Sequence, residues 1–166
     1  LADGAADRSA LAALIDSPFF RRVRKLDLSR SCLANEGAYI LARSPHPWRL
    51  TLLDLSGNQI STNGLRALTE TVDLTYLSEL RLSGNGIGPV GGRALAVSTQ
   101  LTRLRVLDLQ YNQLKTEGGK YLAEAVSLNH LQKLLVRGNS IGPPGKKALK
   151  RRFGPRVQLG SLYSSN

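Results

Sequence analysis

Leu50–Leu68 reads LTLLDLSGNQISTNGLRAL, and most of the remaining chain repeats it. A step of 27 residues from Asn58 lands on Asn85, and further steps reach Asn112 and Asn139. The same step relates Leu53 to Leu26, Leu80, Leu107 and Leu134, and Gly64 to Gly37, Gly91, Gly118 and Gly145. A fixed period over five copies without insertion marks one supersecondary unit stacked on itself. Each unit then buries its apolar face on its neighbours, with no central core.

Within a unit, Leu53 and Leu55 alternate with Leu52 and Asp54, which predicts a short strand with one apolar face. The inward residues form two ladders, Leu26, Leu53, Leu80, Leu107, Leu134 and Leu28, Leu55, Leu82, Leu109, Val136. Each buried leucine contributes ~1.5–3 kcal/mol. Where the strand ends the chain turns inward, and its backbone groups need partners. An asparagine amide offers two donors and an acceptor, enough to bridge adjacent coils; Ser31 stands in this column in the first unit and predicts a looser turn. Ser61 or Thr62 suits a helix N-cap, and Pro89 and Pro143, after Gly88 and Gly142, suit a first helical position. Glycine weakens a helix, so its recurrence in the first turn predicts a close approach of helix to strand that a methyl would block. Helix ends are expected near Thr71, Ser98 and Val126.

The ends depart from the pattern. Residues 1–7 are small and polar and read as a frayed end or a linker, followed by a helix from Arg8 with Leu11, Leu14 and Ile15 on one face. Leu14 stands one period before Leu41, in the column of Leu68, Leu95, Leu122 and Leu149. Residues 1–22 therefore form a helical half-repeat, either a cap or the cut end of a longer array. Residues 23–156 hold five full repeats. The last helix should stop at Phe153-Gly154-Pro155, and residues 157–166 form an edge and tail in which Val157 and Leu159 add a partial strand out of register.

Each copy reads L-x-x-L-x-L-x-x-N-x-L/I and then a glycine: Val23–Leu33, Leu50–Ile60, Leu77–Ile87, Leu104–Leu114 and Leu131–Ile141. These resemble leucine-rich repeats of the ribonuclease-inhibitor-like subclass over residues 8–157. The run ALKRRFGPRV also resembles the closing repeat of bacterial proteins that carry such arrays at the end of a longer chain. The resemblance implies an α/β fold, a right-handed solenoid curved into an arc, with parallel strands on its concave side and helices on its convex side. It also implies a non-catalytic scaffold that binds another protein, or a domain of its own parent chain, through the strand face.

Composition agrees with stacked aliphatic ladders, since aromatics are only 5%. No apolar run approaches the ~18 residues that span a bilayer. The single cysteine, Cys32, rules out an internal disulfide and points to a reducing compartment such as the cytoplasm. The chain begins at Leu1 without a methionine and reads as a fragment or processed chain. Its net charge of +11 is uneven, with eight basic and no acidic residues over 131–166.

Between the inward leucines the strands present Asp27, Asp54, Arg81, Asp108 and Leu135. Asp54, Arg81 and Asp108 form either a charged contact strip or a surface ion network. Larger side chains gather at one corner, so the candidate partner-binding set is Arg81, Asp108, Gln110, Tyr111, Lys133, Leu135 and Arg137. Tyrosine and arginine are common binding anchors. Lys146, Lys147, Lys150, Arg151, Arg152 and Arg156 form a basic patch, which supports an alternative function of binding nucleic acid or another polyanion. The competing reading is a solvated helix whose cations suit its C-terminus. His46, His130 and Cys32 lack the partners that catalysis requires. No metal-ligand spacing or phosphate loop occurs, so neither an enzyme nor a cofactor is expected.

Overall fold

The computed structural model describes residues 4–46 and 48–160. Residues 1–3 of the expected frayed end or linker, Pro47 and the tail beyond Gly160 lie outside the described residues. The alternating segments form short strands: β1 (Lys25–Asp27), β2 (Leu52–Asp54), β3 (Glu79–Arg81), β4 (Val106–Asp108), β5 (Lys133–Leu135) and β6 (Val157–Gln158). They lie side by side in chain order as one parallel sheet. Leu26, Leu53, Leu80, Leu107 and Leu134 pair in register, each one repeat apart. Val157 then pairs with Leu134 at a shorter step. The chain turns straight from the last helix into β6 through Gly154–Arg156, without the longer linker of earlier coils.

Helices α1 (Gly4–Asp16), α2 (Ala34–Ala42), α3 (Thr62–Thr71), α4 (Gly88–Val97), α5 (Lys115–Glu124) and α6 (Pro143–Phe153) form the other side. Ser61 caps α3, its hydroxyl accepting from the Asn63 N–H. Both leucine ladders are buried from the second coil on, and Leu33, Ile60, Ile87, Leu114 and Ile141 close the core where each strand turns toward its helix.

The glycine column does mark a close approach, but chiefly to the turn and the neighbouring coil. A Cβ on Gly91 would lie 2.2 Å from Ile87 Cγ2, and one on Gly145 would lie 2.7 Å from Ile141 Cγ2 and 2.9 Å from the Thr116 carbonyl oxygen. The helix thus starts folded back on the residue four before it.

The first coil departs from the repeat. α1 begins at Gly4, ahead of Arg8, and Leu14 is 38% exposed while Leu11 and Ile15 are buried. Leu14 therefore does not continue the column of Leu41. Leu11 and Ile15, spaced four apart, face inward instead. Phe20, in the 3₁₀ turn Pro18–Arg22, meets Trp48 edge to face at 6.0 Å, and both rings are buried. Trp48 packs into the core beside Phe20, although its indole N–H is buried without a partner.

Candidate functional site

The strand face is built from residues that flank each inward leucine. Its aspartates do more than line a surface. Asp27, Asp54 and Asp108 each accept, through Oδ1, the N–H of the residue two further on, at 2.9, 2.9 and 3.0 Å. Each carboxylate therefore closes the turn that ends its strand, which is a habit of aspartate in turns. This bond holds the Asp27 carboxyl below its ordinary value. The sequence pattern exposed the column but not this role.

Arg81 takes the corresponding place in β3. Its guanidinium reaches Glu79 Oε1 at 2.6 Å and Asp54 Oδ2 at 3.5 Å, and the Glu79 contact chiefly raises its proton affinity. Asp54 is only 7% exposed. Asp108 bonds instead with Gln110, through both the backbone N–H and the side-chain amide. The expected ladder is thus half formed: Asp54 and Arg81 meet, and Asp108 stands apart from them.

Tyr111 and Arg137 come together. Tyr111 occupies a position whose counterparts Arg30, Gly57, Gly84 and Gly138 all have positive φ, and it adopts φ +54° itself. A non-glycine residue held there stores about 1–2 kcal/mol of strain. Its ring lies against Gly138, where an added Cβ would come within 2.3 Å of the ring, and the Arg137 guanidinium stands 6.0 Å from the ring centroid. Tyr111 is nevertheless 51% exposed. Lys133 is exposed and Leu135 half-buried on the next strand.

The C-terminal basic run divides. Lys146, Lys147, Lys150 and Arg151 are exposed along α6. Arg156 instead donates to the carbonyls of Leu131, Phe153 and Arg152. Arg152 donates to the Ala125 carbonyl and the Asn129 side chain. Both guanidiniums also stand within 5.8 Å of the buried Phe153 ring. They tie the last helix to the linker of the preceding coil, a role that only the folded contacts reveal.

A second group emerges where the strands begin. The 27-residue step aligns Arg22, Arg49, Tyr76, Arg103 and His130, all exposed, and two residues on it aligns Arg24, Thr51, Ser78, Arg105 and Gln132. The second column is laced coil to coil by backbone bonds, from Thr51 N to Arg24 O at 2.7 Å through Gln132 N to Arg105 O at 2.8 Å. These ten positions hold five arginines and no carboxylate. Extending the repeat step beyond the leucine motif would have found them. Cys32 is exposed in a turn, and the ring of His46 contacts the Asp16 carbonyl. Among the described residues no group of three His, Cys, Asp or Glu side chains could hold a metal ion, and no helix is long and apolar enough to cross a membrane.

A stack of strand–helix coils with one face of its parallel sheet left open defines a solenoid repeat domain. The family model described as leucine-rich repeat matches residues 50–68, 73–96, 100–123 and 127–150, and the chain belongs to this family. The first repeat, with Ser31 in the asparagine column, lies outside the matched segments. The tropomodulin C-terminal domain of Caenorhabditis elegans superposes with a TM-score of 0.65 at 14% identity, covering 88% of this chain and 90% of that one. At that identity the likeness is one of fold. No curated protein matches this chain in sequence.

Proposed function

We propose that the chain is a non-catalytic scaffold that binds a protein partner through its strand face, anchored at Tyr111 and Arg137 and flanked by Arg81, Asp108, Gln110, Lys133 and Leu135. Leucine-rich repeats generally serve as protein-interaction modules, which supports the broader part of this reading. The observation that carries the finer part is Tyr111: an aromatic residue in a left-handed turn, half exposed and braced by Gly138 and Arg137. Eight non-glycine residues among those described share a positive φ, so it is the exposed, braced ring and not the turn conformation that singles out Tyr111. A standard interface uses ~20–30 residues a side, so a partner would engage most of the sheet. A reducing compartment such as the cytoplasm completes the reading, supported by the lone Cys32.

The test is to recover bound proteins from a cell extract with the wild type and with the double variant Tyr111→Ala/Arg137→Ala, each first shown to unfold cooperatively. Loss of a hot-spot pair should weaken the specific partner by roughly 30-fold or more. Undiminished recovery would remove this corner from the site. The alternative, polyanion binding through the α6 patch, has weaker support, because Arg152 and Arg156 are occupied by backbone carbonyls.

A further inference from the structure

The rim where the strands begin carries charge that the fold does not use. Among the described residues the only ion pairs join Arg66 to Glu70, and Arg81 to Asp54 and Glu79. Arg49, Arg103 and Arg105 have no carboxylate partner. Tyr76 stands between two of them, with the Arg49 guanidinium from the preceding coil 5.5 Å and that of Arg103 from the following coil 5.7 Å from its ring centroid. Beside this group lies an open cleft of about 620 Å³. Tyr76, Arg103 and His130 line it from one column, Ser78, Arg105 and Gln132 from the other, with Thr102 between coils.

Two properties of the rim select its ligand. Its backbone is already paired coil to coil, since the N–H groups of Thr51, Ser78, Arg105 and Gln132 all donate to the preceding coil. It therefore offers no free edge along which a peptide could add as a strand. The cleft also has no aliphatic lining residue that would anchor a peptide side chain. It offers guanidinium groups, which bind phosphate oxygens in pairs, and the faces of guanidinium and imidazole beside Tyr76, on which bases stack. Successive coils lie ~4.8 Å apart, so the arginines recur along a line that an extended strand can follow.

We propose that this rim binds single-stranded nucleic acid across the coils, with the arginines on its phosphates and bases stacked at the Tyr76–His130 cleft. The site is separate from the strand-face corner, and the two stand or fall independently.

The probe is a fluorescein-labelled oligo-dT of ~12 nucleotides, within the span of known single-strand sites, with binding followed by anisotropy on the intact chain. Contact with about four phosphates predicts a roughly 50-fold loss of affinity between about 50 and 200 mM salt. Arg49→Gln/Arg103→Gln/Arg105→Gln should weaken binding at least ~20-fold, whereas Lys147→Gln/Lys150→Gln/Arg151→Gln should change it less than ~3-fold. Photo-crosslinking of an iodouracil-substituted strand to the wild type gives a readout that needs no variant, and cross-links should fall on Tyr76 or His130. The proposal is overturned by absence of binding at about 50 mM salt, by cross-links confined to Tyr111 or α6, or by the α6 variant being the one that loses binding. It is equally overturned if polyglutamate or phosphatidylserine vesicles of matched charge compete as well as unlabelled oligo-dT, since charge alone would then explain the rim.

Discussion

The two rims of the solenoid use the same period to opposite ends. Where the strands end, the polar side chains are satisfied from within. Asn85 Oδ1 accepts the N–H groups of Asn58 and Ile60 at 3.1 and 2.8 Å, and its Nδ2 donates to the carbonyls of Leu55 and Leu82 at 2.9 and 3.0 Å. Asn58 and Asn139 repeat the scheme, and all four asparagines are buried. Where the strands begin, the Thr51 and Ser78 hydroxyls also donate to the preceding coil, but Arg49, Arg103 and Arg105 are exposed and have no carboxylate partner among the described residues. A column of polar residues is therefore no sign of a role in itself. The sign is whether its bonds close inside the protein, and that decides whether a substitution should be felt as lost stability or as lost binding.

The most damaging single change should accordingly fall on the asparagine column. Asn85→Ala leaves the N–H groups of Asn58 and Ile60 buried without an acceptor, whereas the Leu55 and Leu82 carbonyls keep bonds from Asn58 Nδ2 and Asn112 Nδ2. At about 1–3 kcal/mol for each buried group left unsatisfied, a loss of ~3 kcal/mol or more is expected. Arg103→Gln on the other rim should stay within ~0.5 kcal/mol of wild type. Urea unfolding of both variants measures the contrast, and equal losses would erase the distinction between the rims.

A smaller effect with a reversed sign tests the packing. Gly→Ala inside a helix ordinarily stabilises by up to ~1 kcal/mol. Gly91→Ala should instead destabilise by ~1–3 kcal/mol, because its methyl would collide with the buried Ile87. Gly86→Ala, whose nearest obstacle is the Ile60 carbonyl oxygen at 3.8 Å, should be tolerated within ~0.5 kcal/mol. Stabilisation by Gly91→Ala would show that the glycine column is not a steric requirement.

Much of this architecture was legible because it depends on repetition. The strand register, the leucine ladders, the stacked asparagines and the stop at Phe153 follow from residues that every coil shares. What escaped reading lies where a coil lacks a neighbour or where a bond crosses between columns. Leu14 shares the repeat spacing but not the repeat environment, since Leu11 and Ile15 take the inward positions of α1 and leave it exposed. Arg152 and Arg156 look like solvated cations in a basic run, yet in the fold they bind linker carbonyls of the preceding coil. The candidate corner was legible as a cluster, because Tyr111 and Arg137 stand one repeat apart less one residue. Its left-handed turn was not, because nothing in the letters says that a tyrosine will adopt the conformation of the glycines in its column.

The smallest expected effect separates the two uses of the aspartates at the strand ends. If Asp27 serves the turn, its carboxylate matters through the Ser29 N–H, which donates to it at 2.9 Å. That bond lowers its folded pKa below the ordinary 3.8. A carboxyl with a depressed folded pKa contributes stability that is fully present above the unfolded value and is lost as pH falls through the folded one. Asp27→Asn keeps an acceptor oxygen at the same place without a titrating proton. Wild type and variant should therefore differ by a constant amount at neutral pH, and the wild type should lose ground to the variant as the medium is acidified below 3.8. Because Asp27 is exposed, the shift should be small, and it is best read from urea midpoints measured side by side over a pH series. Parallel curves for the two proteins would mean that the charge on Asp27 contributes nothing to the turn. The column would then regain its standing as a surface for a partner.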